Sequence, residues 1–156
     1  MLHVKHLLTT RAREVGLAAV GTAAATEEVR DVYGWAQSVI CAAISYLPPE
    51  TVPPANPACG LVARIARSAD YHGVVRAKLA SLAEIVKGAQ PSARIEICVD
   101  TNPLPERKLA VLAGIGWIGK NSCVYVQGCG SWAALGEIVT DAPVEITAEP
   151  TRLLQS

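Results

Sequence analysis

The apolar positions along this chain alternate between helix-like and strand-like spacing. Leu2, Val4, Leu7, Leu8, Ala12 and Val15 approximate one face of a first helix, which Gly16 stops. Leu17–Gly21, "LAAVG", reads as a short strand. Thr26 followed by Glu27, Glu28 and Val29 predicts a capped helix start, with the helix running to about Trp35. Ser38 to Tyr46, "SVICAAISY", is an apolar run of strand length, and it ends in "LPPETVPPANP", where prolines forbid regular structure. A second helical region starts near Gly60, pauses around Ser68–Asp70 and continues from Tyr71 to about Lys87. Within it Val75, Leu79, Leu82 and Val86 recur at four-three-four spacing, a stripe that must be buried.

"ARIEICVD" alternates cleanly, with Ile95, Ile97 and Val99 on one face and Arg94, Glu96 and Cys98 on the other. Leu104 to Ala113 predicts a helix with Pro105 near its first turn, where a missing N–H costs nothing. "CVYV" and "WAALGEIV" then read as antiparallel strands joined by a hairpin-like "QGCGS". Strands interleave with helices, so the pattern predicts a mixed α/β (α+β) domain, a mixed sheet flanked by helices rather than a regular doubly wound fold. The expected organisation is one domain over 1–141 and an irregular tail over 142–156.

The 156 residues are 51% hydrophobic, enough for a core, and with no Phe the packing falls to Leu, Ile, Val and Ala, helped by Trp35, Trp117 and Trp132. Lys plus Arg and Asp plus Glu are both 14, so a whole-molecule basic field for nucleic acid is absent, although a local patch is compatible with this balance. The N-terminus is interrupted by His3, Lys5 and His6 and has no signal-peptide core, and no apolar run reaches membrane-spanning length. Five cysteines without a C-x-x-C read as buried thiols in a reducing cytoplasm rather than as a metal site.

Chemistry concentrates in Ala113–Ser122, "AGIGWIGKNS". Gly114, Gly116 and Gly119 have the G-x-G-x-x-G spacing of a dinucleotide fingerprint, and Gly114 to Lys120 reads as a P-loop lacking its final hydroxyl, because Asn121 stands there. Both motifs require a strand before the glycines and a helix after them. Here a helix comes before and a strand after, so both nucleotide readings fail on context. Gly114 is explained as a helix C-cap. The later glycines suggest a bend that something approaches closely, beside Lys120 and Asn121. Asp100, at the end of a strand facing a loop, is either a cap before Pro103 or a catalytic carboxylate.

Four ordered motifs carry a resemblance. "VDT" at Val99–Thr101, "AGIGWIGKNS", "GSWAALGEIVTD" at Gly130–Asp141 and the "DYH" segment within Ala66–Ala83 resemble the N-terminal, cobalamin-binding part of the epoxyqueuosine reductases, over about Ser38 to Asp141. The resemblance implies a nitroreductase-like domain and a reaction that reduces the epoxide of epoxyqueuosine in tRNA to queuosine, using cobalamin and two [4Fe–4S] clusters. It implies that Asp100 is the acid that protonates the oxygen released on epoxide opening. To hold its proton near neutral pH, that carboxyl needs surroundings that disfavour charge, as burial beside an apolar ring would provide. It also implies that Ala63, Asp100, Gly119, Lys120, Asn121, Val124 and Leu135 contact the corrinoid. Asp70 is open between capping the helix at Tyr71 and meeting ligand. His72 is expected to be a satisfied surface histidine rather than a cobalt ligand, and Trp117 to pack against the helix.

The sequence departs from the family in two places. No C-x-x-C-x-x-C-x-x-x-C-P run is present, so the resemblance implies a separate iron–sulfur electron donor or a truncated gene product. Only "TEEVRDVYGW" connects the first strand to Ala36, where the family has a longer segment. The alternative reading is a non-catalytic or truncated corrinoid-binding domain. No membrane partner is expected, and the cytoplasm is the expected compartment.

Overall fold

The stripe predicted between Tyr71 and Lys87 forms one wall of the core. The computed structural model describes residues 1–47, 60, 62–67 and 69–146. Its elements in chain order are α1 (Lys5–Glu14), β1 (Ala19–Ala24), α2 (Glu27–Val32), β2 (Ser38–Ser45), a 3-10 turn (Arg64–Arg67), α3 (Tyr71–Ala89), β3 (Ile95–Cys98), α4 (Glu106–Leu112), β4 (Gly116–Ile118), β5 (Val124–Val126) and β6 (Ala133–Thr140). Four strands form one sheet in the order β1-β2-β6-β3, and every pairing in it is antiparallel.

Both faces of this sheet are covered, which explains why its central strands are apolar at nearly every position. On one face Val75, Leu79, Leu82 and Val86 of α3 join Leu8 and Ala12 of α1 over Ile40, Ala42 and Ile138. On the other, Leu109 and Ala110 of α4, Val29 of α2 and Val124 and Val126 of β5 cover Val39, Cys41, Cys98 and Val139. The alternation in β3 is therefore real, but its second face is only partly solvent: Glu96 is exposed and Cys98 is fully buried.

Several boundaries differ from expectation for local reasons. The first strand begins at Ala19, because Gly16 and Leu17 close α1: Gly16, at φ +71°, donates to the Arg13 carbonyl and Leu17 to that of Ala12. The α2 helix stops at Val32, and Thr26 makes no side-chain capping bond. The largest correction concerns the last strands. β5 pairs with β4, within the glycine stretch itself, and β6 inserts between β2 and β3. An eight-residue apolar strand needs a partner on each edge and cover on both faces, which only the middle of the sheet offers. Gly128 and Gly130, both at positive φ, turn the chain away from β5 to reach it. Ala142 and Val144 are buried, and Val144 bridges Leu2, so the first residues after Asp141 pack on the domain. The proline stretch from 48 to 59 and the rest of the tail, 147–156, lie outside the described residues.

Candidate active site

β3 runs out at Cys98, and the chain then turns within three residues. Thr101 N–H donates to the Val99 carbonyl at 2.6 Å, which forces Asp100 to φ +55°. This is the rarer, positive-φ form of γ-turn, a conformation that costs a non-glycine residue energy and is kept where the surroundings over-determine it. Here they do. Glu106, in the first turn of α4, accepts the Asp100 backbone N–H on Oε1 at 2.8 Å. Tyr71 donates its hydroxyl to Asp100 Oδ2 at 2.9 Å, and His72 Nε2 lies 3.5 Å from the same oxygen.

The start of α3 is built to deliver those two side chains. Asp70 is its N-cap, accepting the His72 backbone N–H on Oδ1 at 3.0 Å, and the same oxygen lies 2.6 Å from His72 Nδ1. The rings of Tyr71 and His72 stack with centroids 4.1 Å apart. The question left open for Asp70 is thus answered in favour of the cap. Its bonds to His72 hold the Asp70 carboxyl below the usual range, and the same bond, helped by Asp100, raises His72 above its ordinary value. Burial, and then the bond to Asp100, push the Tyr71 hydroxyl up to about 12, so it remains a donor at neutral pH. The Asp100 side chain itself is 61% exposed. The described residues of this chain do not bury it.

Asp100 lines one hollow, and its donor Tyr71 lines another. A cleft of about 700 Å³ is lined by Asp100, Asn102, Glu106, Arg107, Ile118 and Ser122 among others. A smaller, more apolar hollow of about 310 Å³ lies between Ile44, Tyr46, Ile65, Tyr71, Val74 and Ala134. Tyr71 forms part of its wall, and Arg64 at its rim lies 4.9 Å over the Trp132 ring.

The glycine stretch closes α4 and then forms a hairpin. Gly114, at φ +72°, donates to the Val111 carbonyl and Ile115 to that of Ala110, which completes the C-cap. The close approach suggested for the later glycines is made by the chain itself. A Cβ on Gly116 would collide with the Tyr125 carbonyl and lie 2.9 Å from a Val124 methyl, and one on Gly119 would strike the Tyr125 ring. Asn121 is also committed to the hairpin, donating to the Tyr125 hydroxyl at 3.2 Å and accepting the Cys123 N–H at 3.1 Å. Lys120 is exposed at the turn. Trp117 stacks on Tyr125 at 5.8 Å and is 37% exposed.

The other predicted contacts are more scattered. Val124 is buried in the core, and Leu135 packs partly buried against the same cluster. Ala63 is exposed just before the 3-10 turn. Asp100 and the β4–β5 turn share the larger cleft through Ile118 and Ser122, while Ala63 lies toward the smaller hollow through its neighbour Arg64.

Sequence reasoning missed four residues. Tyr71 and His72 owe their roles to the Asp70 cap, which fixes the direction of the first helical turn. Glu106 owes its role to the strained turn it supports. Glu137 is fully buried in the centre of β6, its carboxyl has no hydrogen-bond partner, and burial pushes it up to about 9. A lone acid inside the apolar run "ALGEIV" was the signal available for it. Among the described residues no group of three or more His, Cys, Asp or Glu is placed to hold a metal ion, and no helix is long and apolar enough to cross a membrane.

Comparison with known proteins agrees with this layout. Residues 27–101 match the family model described as epoxyqueuosine reductase QueG, DUF1730. An epoxyqueuosine reductase of Gloeobacter violaceus is 38% identical over 118 residues, covering 76% of this chain and 36% of that protein. This chain therefore spans about a third of that curated relative's length. Two solved structures share the fold: the epoxyqueuosine reductase of Streptococcus thermophilus (TM-score 0.81, 23% identity, 95% of this chain and 48% of that one) and an epoxyqueuosine reductase with an epoxyqueuosine-modified tRNA-Tyr stem loop (TM-score 0.79, 24% identity, 97% and 48%). A reductive dehalogenase whose structure suggests a mechanism for B12-dependent dehalogenation also shares it (TM-score 0.65, 14% identity, 96% and 20%).

Proposed function

This chain belongs to the epoxyqueuosine reductase family, and from that premise we propose that it is the cobalamin-facing, acid-bearing part of an enzyme that reduces the epoxide of epoxyqueuosine in tRNA to the alkene of queuosine. The observation that carries the reading is Asp100. A carboxylate held at positive φ beside an open cleft, with two donors on one oxygen, is constrained far beyond what a turn needs. Opening an epoxide releases an alkoxide, and Asp100 is the acid that protonates it once a bound ring covers the carboxyl and disfavours its charge. Tyr71 and His72 fix Oδ2, which leaves Oδ1 to face the reacting oxygen.

The larger cleft suits a corrin. It is open on one side, sets the exposed apolar Ile118 beside the polar Asp100, Asn102 and Ser122, and therefore fits one face of a broad ring carrying polar arms rather than a small enclosed ligand. Lys120 at the exposed hairpin turn would reach the ring's polar arms, Gly119 and Asn121 shape that turn, Val124 supports it from beneath, and Leu135 and Ala63 are ring contacts by the resemblance alone. When bound, the corrinoid supplies the low-potential chemistry that breaks the C–O bond. By the family resemblance, electrons reach the ring from iron–sulfur clusters. The tRNA substrate of this reading goes with a cytoplasmic compartment.

The test is retention of corrinoid. Purified chain is mixed with hydroxocobalamin, freed of excess by gel filtration and read by its visible spectrum. Retained corrinoid absorbance is expected. Replacing Asp100 with Asn should keep that absorbance and abolish epoxide reduction in a reaction completed with a reduced iron–sulfur donor. Full activity of the Asn variant would remove Asp100 from the chemistry. Retained corrinoid without turnover in the wild type would leave a binding domain.

A further inference from the structure

Reducing an epoxide to an alkene consumes two electrons and two protons and releases one water. The first proton goes to the oxygen as one C–O bond breaks. The second goes to the same oxygen as the other C–O bond breaks and it departs as water. A single carboxyl supplies one proton before it must be reloaded from water, and a second acid in the cleft delivers the other without that wait. We propose that Glu106 is the second acid of the Asp100 cleft, donating the proton with which the epoxide oxygen leaves as water. This rests on the epoxide-reductase reading of the site and adds to it the donor of the second proton.

Three placements carry the assignment. Glu106 lines the same cleft as Asp100. Its Oε1 already accepts the Asp100 backbone N–H at 2.8 Å, so the two acids are joined by one short turn. It is half-buried, and beneath it β6 holds the fully buried, unpartnered Glu137. The Glu106 charge adds to burial in disfavouring ionisation of Glu137, so the deeper acid stays neutral beneath it. The titratable and charged groups facing these two carboxyls come from every neighbouring element: Asp100 after β3, His72 on α3 and Arg107 on α4 act on Glu106, while Tyr71 on α3, Cys41 on β2 and Cys98 on β3 feel the charge of one or both. Burial leads, the Asp100 charge adds to it, and Arg107 and His72 oppose it; the net effect holds the Glu106 carboxyl above its ordinary value. After donation Glu106 is left as a carboxylate, stabilised by the Asp100 N–H, and recovers its proton from water through the open cleft.

The Asp100 amide reports on Glu106 without any cofactor. In the isolated chain its proton resonance should titrate with a midpoint above the ordinary 4.5 of a glutamate. In Glu106→Gln the resonance should stay downfield, because the amide oxygen still accepts, and should stop titrating over that range. In reactions completed with hydroxocobalamin and a reduced iron–sulfur donor, wild-type turnover should fall as pH rises through that midpoint. Glu106→Gln should lose at least about a hundredfold in kcat and lose that pH limb, with corrinoid retained. A midpoint at or below 4.5 overturns the proposal, as does a Gln variant with near wild-type kcat and an unchanged pH limb. A wild type that retains no corrinoid and forms no product ends the epoxide reading and this proposal together, whereas a Gln variant that retains corrinoid and stays active ends this proposal alone.

Discussion

Glu137 gives the sharpest energetic prediction. Its carboxyl is fully buried on β6 and rises from 4.5 to about 9, so the folded chain holds one proton that the unfolded chain releases throughout that interval. Linkage fixes the sign: the unfolded state binds fewer protons there, so stability is highest below pH 4.5 and falls as pH climbs toward 9. The slope is about 1.4 kcal/mol per pH unit at most, which makes the penalty at pH 7 about 3 kcal/mol. Glu137→Gln keeps the shape and cannot ionise, so it removes the slope and leaves the buried polar atoms in place. Urea unfolding of both proteins at pH 5, 6, 7 and 8 should give nearly equal midpoints at the acid end. The Gln variant should gain steadily with pH, reaching about 3 kcal/mol at pH 7 with unchanged m. Glu137→Leu should add a pH-independent gain of about 1–3 kcal/mol, because no polar group is then left unpaired. Wild-type and Gln curves that run parallel across pH would refute the claim that this carboxyl is neutral in the fold.

Other consequences can be measured directly. Gly116→Ala should destabilise by about 1–3 kcal/mol in urea, since its methyl meets the fixed Tyr125 backbone. Leu79→Ala, fully buried between α3 and the sheet, should cost about 2–5 kcal/mol by the same assay. The His72 imidazole should titrate by NMR above 6.5, and Asp70→Asn should bring it back toward that value, because the Asp70 bond is the leading cause of its rise. The stability that His72 contributes is present below 6.5 and is lost as pH rises through its folded value. Tyr71→Phe should retain corrinoid and lower kcat more than it changes KM, because the hydroxyl it removes orients Asp100 Oδ2.

Glycine placement in this chain has two separate causes. Gly114 is present because α4 ends with a left-handed residue, whereas Gly116 and Gly119 are present because β5 folds back over them. The sequence shows only three glycines at a suggestive spacing. Distinguishing a ligand's approach from the chain's own return needs Tyr125 in place, and Tyr125 arrives through a pairing of β4 with β5 that no local signal announces.

Local physical chemistry alone determined much of the rest. The period of Val75, Leu79, Leu82 and Val86 required a helix buried on one side, and the alternation of Ile95, Ile97 and Val99 required a strand, which ends at Cys98, two residues before Asp100, since each depends only on neighbours within a few residues. Tertiary structure decided everything that required two distant segments to meet: the insertion of β6 between β2 and β3, the burial of Glu137 that follows from it, and the convergence of Tyr71, His72 and Glu106 on Asp100. Side-chain spacing sets which face of an element is apolar. Which partner covers that face, and which acid is thereby sealed from water, depends on competition among all the faces at once, and that competition is resolved only in the folded chain.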